Sequence, residues 1–333
     1  MTKSSDENPI VPKYLKEDDL GQECKDLIQT LPSVEGWIDP TFHEYLGFWF
    51  APKILQGALS FQRHFQAIDT DIILVTNPKS GTTWLKALTF ALKNRNKYPN
   101  IHNNHPLLTS NPHVLVPFME INLYYETNIV PELNSLSPPR IFCTYNPYVL
   151  LPKSVKESNC KVVYLCRDPK DTFVSLWHFS NKLRAQSRGT LPLEEAVESF
   201  CRGTTSYGPF WDHVLGYWKE SLERSEKVMF LKYEEMKMKP NFVLKELAKF
   251  LGCPFSKEEE SNGVVDDILN LCSFEKLSNL EINKNGKISS EIENKNFFRL
   301  GKVGDWKNLL TTEMVEQLNI VVEEKFGKHG LSF

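Results

Sequence analysis

Hydrophobic positions are distributed along this chain in two alternating registers. Four short, almost wholly apolar runs occupy 71–76 (DIILVT), 140–145 (RIFCTY), 161–166 (KVVYLC) and 227–233 (KVMFLKY). Their length and their β-branched and aromatic content predict strands buried on both faces, as in a parallel sheet. Between and after them the apolar residues take helical spacing: Trp84, Leu85, Leu88 and Leu92; Phe173, Leu176 and Trp177; Val243, Leu244, Leu247 and Leu251; Met314, Leu318, Val321 and Val322. Such stripes are the core faces of amphipathic helices. Strands alternating with helical stretches predict βαβ units and an α/β fold with a central parallel sheet flanked by helices. No Pro/Gly/Ser-rich linker divides the pattern, so a single domain is expected over 16–333, preceded by a disordered tail at 1–15 where Ser, Asp, Glu, Asn and Pro dominate. The polar stretch 255–305, least patterned at 289–296 (SSEIENKN), reads as a long surface loop or a mobile lid.

Composition narrows the function. The formal net charge of −3 removes a broad basic face, which argues against nucleic acid or an anionic membrane as partner; an anion site must be built locally. No apolar run approaches a membrane span and the first residues are polar, so a cytoplasmic protein is expected. The seven cysteines are scattered, with no CxxC and no histidine at ligand spacing, and read as reduced thiols with no metal site among them.

The segment 71–86 (DIILVTNPKSGTTWLK) places a turn between a buried strand and a helix beginning near Thr82. That junction points backbone N–H groups and the positive end of a helix dipole at an anion. Lys79 adds a point charge, Ser80, Thr82 and Thr83 add hydroxyls, and Gly81 admits close backbone approach. Lys79 precedes Gly81, whereas a Walker A loop places its lysine after the second glycine; a Mg-dependent NTPase or kinase is therefore disfavoured.

The segment 161–179 (KVVYLCRDPKDTFVSLWHF) repeats the design, with Arg167 at the carboxyl end of a strand and Ser175 inside the helix that follows. Arginine offers phosphate a bidentate fork, and this is where ligands bind in open α/β sheets. A third basic cluster, 297–308 (FFRLGKVGDWKN), sets Arg299 beside Gly301 and Lys302.

Taken together, TNPKSGTTW, CRDPKDTFVSLWHF and FFRLGKVGDWKN resemble the cytosolic sulfotransferases, and 105–121 (HPLLTSNPHVLVPFMEI) resembles their plant branch. The resemblance runs from about Leu20 to Phe333. It implies the sulfotransferase fold with a P-loop-like phosphosulfate-binding loop, and transfer of a sulfuryl group from 3′-phosphoadenosine 5′-phosphosulfate (PAPS) to a hydroxyl of a small acceptor, with no metal. It further implies that Lys79, Ser80, Gly81, Thr82 and Thr83 surround the 5′-phosphosulfate and that Trp84 stacks on adenine. Arg167, Ser175, Arg299 and Gly301 would hold the 3′-phosphate, and Tyr233, Cys272 and Phe274 would complete the adenine pocket. Lys79, Ser175 and the position of Tyr145 form the implied catalytic set. The stretch 307–316 (KNLLTTEMVE) resembles the family's dimer motif, with Thr312 in place of Val, and equally fits a helix start capped by Thr311 or Thr312.

Two departures matter. Where the family carries its catalytic histidine this chain has Tyr145, after Cys143 and Thr144, and Leu300 stands where a lysine is usual. A phenol with a pKa near 10 is a poor base at neutral pH, and a positioned base is worth roughly 10² to 10⁴ in rate. Three consequences are open: an acceptor acidic enough to need only orientation by Tyr145, another base among His105, His113 and His178, or a donor-binding protein whose chemistry is lost or redirected. Lys302 is the residue that would have to reach the 3′-phosphate in place of Leu300. The aromatic residues of 45–57, with Phe118, Tyr148, Phe210 and Trp211, suggest an apolar acceptor cavity suited to a flavonoid- or steroid-like scaffold, or equally a packed core.

Overall fold

The computed structural model describes residues 20–126, 130–289 and 292–333; the tail expected at 1–15 lies outside them. After a short helix (Gln22–Ile28) come three short antiparallel strands, β1 (Ser33–Glu35), β2 (Thr41–Tyr45) and β3 (Phe48–Phe50). The central sheet follows: β4 (Ile72–Thr76), β5 (Ile141–Thr144), β6 (Lys161–Cys166) and β7 (Val228–Lys232), all parallel, in the order β5-β4-β6-β7. These are the four apolar runs, each trimmed by a residue or two except β6.

Alternation along these strands divides the core. Ile73, Val75, Phe142, Val162, Tyr164 and Val228 enter one apolar cluster, and Ile72, Leu74, Cys143, Val163, Leu165 and Leu231 the other. The helix Thr82–Asn94 covers the second cluster through Leu85, Leu88 and Leu92, while the helix Pro169–Leu183 covers the first through Phe173, Val174 and Leu176. The chain leaves β4 for a neighbour on one side, β5, and then returns to the other, β6. This reversal opens a crevice at the carboxyl ends of β4 and β6, the place where open α/β sheets bind ligands.

Several expectations are corrected. Much of 255–305 is helical, with helices Lys257–Ser261, Val264–Leu271, Phe274–Asn279 and Glu281–Asn285 followed by a hairpin, β8 (Lys287–Ser289) and β9 (Ile292–Glu293). Val265, Ile268, Leu271 and Leu277 of these helices are buried in the second cluster, so the segment is part of the domain's core. Residues 290 and 291 of the 289–296 stretch are outside the described residues. Tyr233 begins the helix Tyr233–Met238 and does not end a strand. Thr311, and not Thr312, caps the C-terminal helix Thr312–Phe326. All seven cysteines are free, five of them buried.

Candidate functional site

The turn after β4 has the backbone that its residues require. Lys79 (φ +68°) and Gly81 (φ +109°) both take left-handed conformations. At Gly81 a Cβ would lie 2.8 Å from the Tyr233 ring, so close packing as well as backbone freedom demands glycine. A left-handed lysine is costly and persists where the surroundings dictate it, as at ligand-binding turns. Thr82 Oγ1 lies 2.7 Å from Thr76 Oγ1, tying the helix start to the end of β4. The first-turn amides of Thr82 and Thr83 have no partner within the helix. The Lys79 ammonium lies 4.0 Å from the centre of the Phe179 ring. Burial, and then the positive charges of Lys182, Arg299 and Arg167, draw its pKa down to about 7. That concentration of like charge is the electrostatic signature of a site for a polyanion.

The second strand end is built the same way. Asp168 caps the helix Pro169–Leu183, accepting from the amides of Lys170 at 2.8 Å and Asp171 at 3.2 Å. Arg167, just before it, donates to the carbonyl of Lys302 at 2.6 Å and lies 3.4 Å from Asp171 Oδ2. The loop that follows Phe298 is strapped across this strand end by three further bonds. Asp171 accepts from the amides of Gly304 (2.7 Å) and Trp306 (3.1 Å), and Tyr233 Oη donates to the carbonyl of Gly301 at 3.0 Å. Arg299, paired with Asp305 at 2.6 Å, is thereby brought beside Arg167. The buried Nε atoms of both arginines and Ser80 Oγ have no hydrogen-bond partner among the described residues. Unspent donors in a cationic cleft fit an anionic ligand.

These elements enclose a cavity of about 270 Å³. Every sequence-predicted donor residue lies on its wall except Ser80: Lys79, Gly81, Thr82, Thr83, Trp84, Arg167, Ser175, Tyr233, Cys272, Phe274, Arg299 and Gly301; Tyr145 lines it as well. Trp84 and Tyr233 meet edge to face, 5.4 Å between ring centres, and Phe274 packs under Gly301, where a Cβ would come within 2.5 Å of its ring. Leu300 is on the wall, but the Lys302 side chain is exposed and off it; Lys302 contributes its carbonyl to Arg167 instead. The additional cation on the wall is Lys237, 5.5 Å from the Trp84 ring, which sequence reading missed for want of any motif.

A second cavity of about 110 Å³ adjoins the first, and Tyr145, His113 and Phe297 line both. Its remaining walls are mostly apolar, including Phe42, Ile54, Phe118, Phe179 and Ile292. Of the residues proposed for it, Ile54 and Phe118 are present, whereas Phe48 and Phe50 lie in the core with Tyr45 and Trp49 packed against it, Phe210 and Trp211 pack in the core against Phe200 and Phe326, and Tyr148 packs on Tyr217. Tyr145 is positioned through its backbone: its amide donates to Glu120 Oε1 and its carbonyl accepts from His213 Nε2, both at 2.8 Å. Among the described residues, His113 is the one histidine on either wall. His105 is buried away from both, capping the turn at Leu107, and His178 packs on Trp177.

A family model described as a sulfotransferase domain matches residues 69–330. Cytosolic sulfotransferase 12 of Arabidopsis thaliana is 51% identical over 324 residues, 97% of this chain and 98% of its own length. Cytosolic sulfotransferase 5 of the same plant is 50% identical over 320 residues, 96% and 99% of the two chains. Among solved structures, an Arabidopsis thaliana sulphotransferase matches with a TM-score of 0.77 at 45% identity, covering 97% of this chain and 100% of that one. A mouse sulfotransferase complexed with PAP matches at 0.65 and 26% identity, covering 86% and 94%. Among the described residues no helix is long and apolar enough to cross a membrane.

Proposed function

Because the chain belongs to the sulfotransferase family, with the fold of its plant cytosolic members, we propose that it moves a sulfuryl group from PAPS to a hydroxyl of a small, largely apolar or aromatic acceptor. The observation that carries this reading is the junction of two unlike cavities: one cationic and rimmed by Trp84, Tyr233 and Phe274, the other apolar, meeting at Tyr145, His113 and Phe297. A nucleotide bisphosphate needs two anion sites and an aromatic face for its base, and the ends of β4 and β6 supply the first while the aromatic rim supplies the second. The residues present suit that donor, given the unspent Nε donors of Arg167 and Arg299 on the cavity wall.

In this reading Lys79, Thr82 and Thr83 take the 5′-phosphosulfate, and Arg167, Ser175 and Arg299 the 3′-phosphate. Sulfuryl transfer is an in-line displacement whose charge grows on the leaving oxygens, so preorganised cations and N–H donors account for most of the acceleration. Lys79 stands at the end of the cationic cavity nearest Phe179, a wall residue of the apolar one, and neutralises the bridging oxygen as its bond to sulfur breaks. The apolar walls bind a scaffold such as a flavonoid or steroid and exclude water from the reacting sulfur.

The test has two measurements on the purified chain. Titration calorimetry with 3′-phosphoadenosine 5′-phosphate (PAP) is expected to show micromolar or tighter binding. Radiolabelled sulfate from PAPS is then expected to appear on members of a phenol and alcohol panel. Binding of PAP with no transfer to any acceptor would favour the other reading, a donor-binding protein whose chemistry ended with the loss of histidine at Tyr145. Absence of PAP binding would remove both.

A further inference from the structure

With tyrosine at position 145, the sulfuryl-transfer reading leaves the acceptor's proton without a taker. We propose that His113 is the general base of this protein and that the buried amine of Lys86 receives the proton from it, a relay that runs from acceptor hydroxyl through imidazole to lysine. The proposal rests on the sulfotransferase reading above and deepens it.

Position comes first. His113 lines both cavities at their junction, beside Tyr145. Its ring is held on every side: Nε2 lies 3.0 Å from Thr83 Oγ1, Nδ1 lies 3.1 Å from Lys86 Nζ, and its plane stacks on Phe118 at 5.4 Å and 17° with Phe297 at 4.5 Å. The backbone below it is fixed as well, because Asn111 caps His113 N at 2.9 Å and is itself held by Asn283 at 2.8 Å. A ring so constrained presents one nitrogen to Thr83 and the junction, and the other to the lysine.

Lys86 is the second half of the argument. It follows Thr83 by one turn on the helix Thr82–Asn94, is fully buried, and sits 3.2 Å from the centre of the Phe118 ring. Burial draws its pKa down to about 8, outweighing the nearby charges of Cys143 and Glu120, which would raise it. Near neutral pH the side chain therefore exists partly as a free amine. His113 by itself is a weak base, since burial first and then the charges of Lys86 and Lys79 hold its pKa well below 6.5. Handing the proton on removes that difficulty, because the imidazole never carries a lasting positive charge.

The pair has two arrangements. With Lys86 protonated, the ammonium donates to Nδ1, and Nε2–H donates to Thr83 Oγ1. With one proton fewer, Nδ1–H donates to the amine, and Nε2 holds a lone pair at the junction. From the second arrangement the step balances: the acceptor oxygen bonds to sulfur as the bridging oxygen departs with PAP and its added negative charge. The acceptor's proton goes to Nε2, and the Nδ1 proton moves to Lys86 Nζ, which ends as an ammonium.

Two readouts on the full chain test this. In protein carrying ¹⁵N-labelled histidine, the neutral His113 ring is expected to change from the Nε2–H to the Nδ1–H tautomer with a midpoint near pH 8, and to lose that change in Lys86→Met; a tautomer constant from pH 6 to 10 would overturn the relay. In PAPS-dependent transfer to 2-naphthol, kcat is expected to rise through the same midpoint. His113→Gln and Lys86→Met are each expected to lower it by about 10² to 10⁴ while PAP affinity holds. The loss should shrink with 4-nitrophenol, which is already an anion at pH 8. Wild-type protein that transfers to 2-naphthol with His113→Gln unaffected, or equal losses with both phenols, refutes the relay alone. Wild-type protein that transfers to neither phenol nor any alcohol strikes the sulfotransferase reading, and the relay falls with it.

Discussion

Asp171 and Gly304 lie 133 positions apart in the chain, yet Asp171 Oδ2 accepts the Gly304 amide at 2.7 Å. With the Trp306 amide on its other oxygen and Arg167 at 3.4 Å, this fully buried carboxylate joins the two arginines proposed for the 3′-phosphate. Asp171→Ala removes the acceptor of two part-buried N–H groups and the carboxylate beside the Arg167 guanidinium. It is expected to cost about 1–3 kcal/mol of stability for the lost acceptor, and more than tenfold in PAP affinity as Arg299 drifts. Thermal unfolding and calorimetry on the same variant check both; an unchanged PAP affinity would show that the strap does not set the site.

The two cationic ends should separate kinetically. Lys79→Ala is expected to reduce kcat by at least about 10²-fold, the scale for removing one preorganised charge from a developing oxyanion. Arg167→Ala, which gives up a ground-state phosphate contact, is expected mainly to raise KM for PAPS and the PAP dissociation constant. Equal effects of the two substitutions on kcat and KM would contradict these roles.

Protons should accompany donor binding. With its pKa held at about 7 by burial and by Lys182, Arg299 and Arg167, Lys79 is largely a neutral amine at pH 8. An anion bound beside it favours the ammonium and raises that pKa, so PAP binding takes up protons, and affinity falls as pH rises above 7. Calorimetry in buffers of different ionisation enthalpy is expected to show uptake growing from pH 7 to pH 9 and disappearing in Lys79→Met. Proton release over that range would reverse the sign and refute the assignment.

Gly301 and Gly304 offer a controlled comparison on one loop, since both have positive φ (+63° and +80°) but only Gly301 faces a neighbour. An alanine at 304 meets nothing within 4 Å and is expected to cost about 1 kcal/mol, the left-handed backbone penalty alone. At 301 its Cβ would lie 2.5 Å from the Phe274 ring, so that variant is expected also to displace the ring and weaken PAP binding. Similar PAP affinities for the two variants would remove Phe274 from the adenine pocket.

Tyr145→Phe is expected to keep kcat within about threefold, because His113 and not the Tyr145 phenol takes the acceptor's proton. A loss approaching that of His113→Gln would return the proton transfer to Tyr145.

Both strand-turn-helix junctions were legible because each is local, a strand end, a tight turn and a helix N-terminus within about fifteen residues, and such junctions dictate their own residue types. The helices of 255–285 were not legible, since they are five to eight residues long and their few apolar positions acquire meaning only against the helices 82–94 and 240–250 that they cover. Aromatic residues carried the same ambiguity: Phe118 and Phe210 are equally apolar, and only packing sends one to a cavity wall and the other into the core.

The amino-acid sequence alone marked the parallel sheet and the helices that follow β4 and β6, because periodicity and turn chemistry act over short separations; the donor residues and the histidine expected at position 145 came only from the resemblance of its motifs to the sulfotransferases. Tertiary structure decided what those local signals cannot reach. It brought Arg299 to Arg167 through Asp171, put Lys237 on the cavity wall and turned Lys302 away from it. It also set His113 between Thr83 and Lys86, 27 positions from the lysine. The physical reason is that burial and neighbouring charge, which draw a lysine down to about 8 and hold a histidine ring in one orientation, come from groups remote in sequence that only folding makes adjacent.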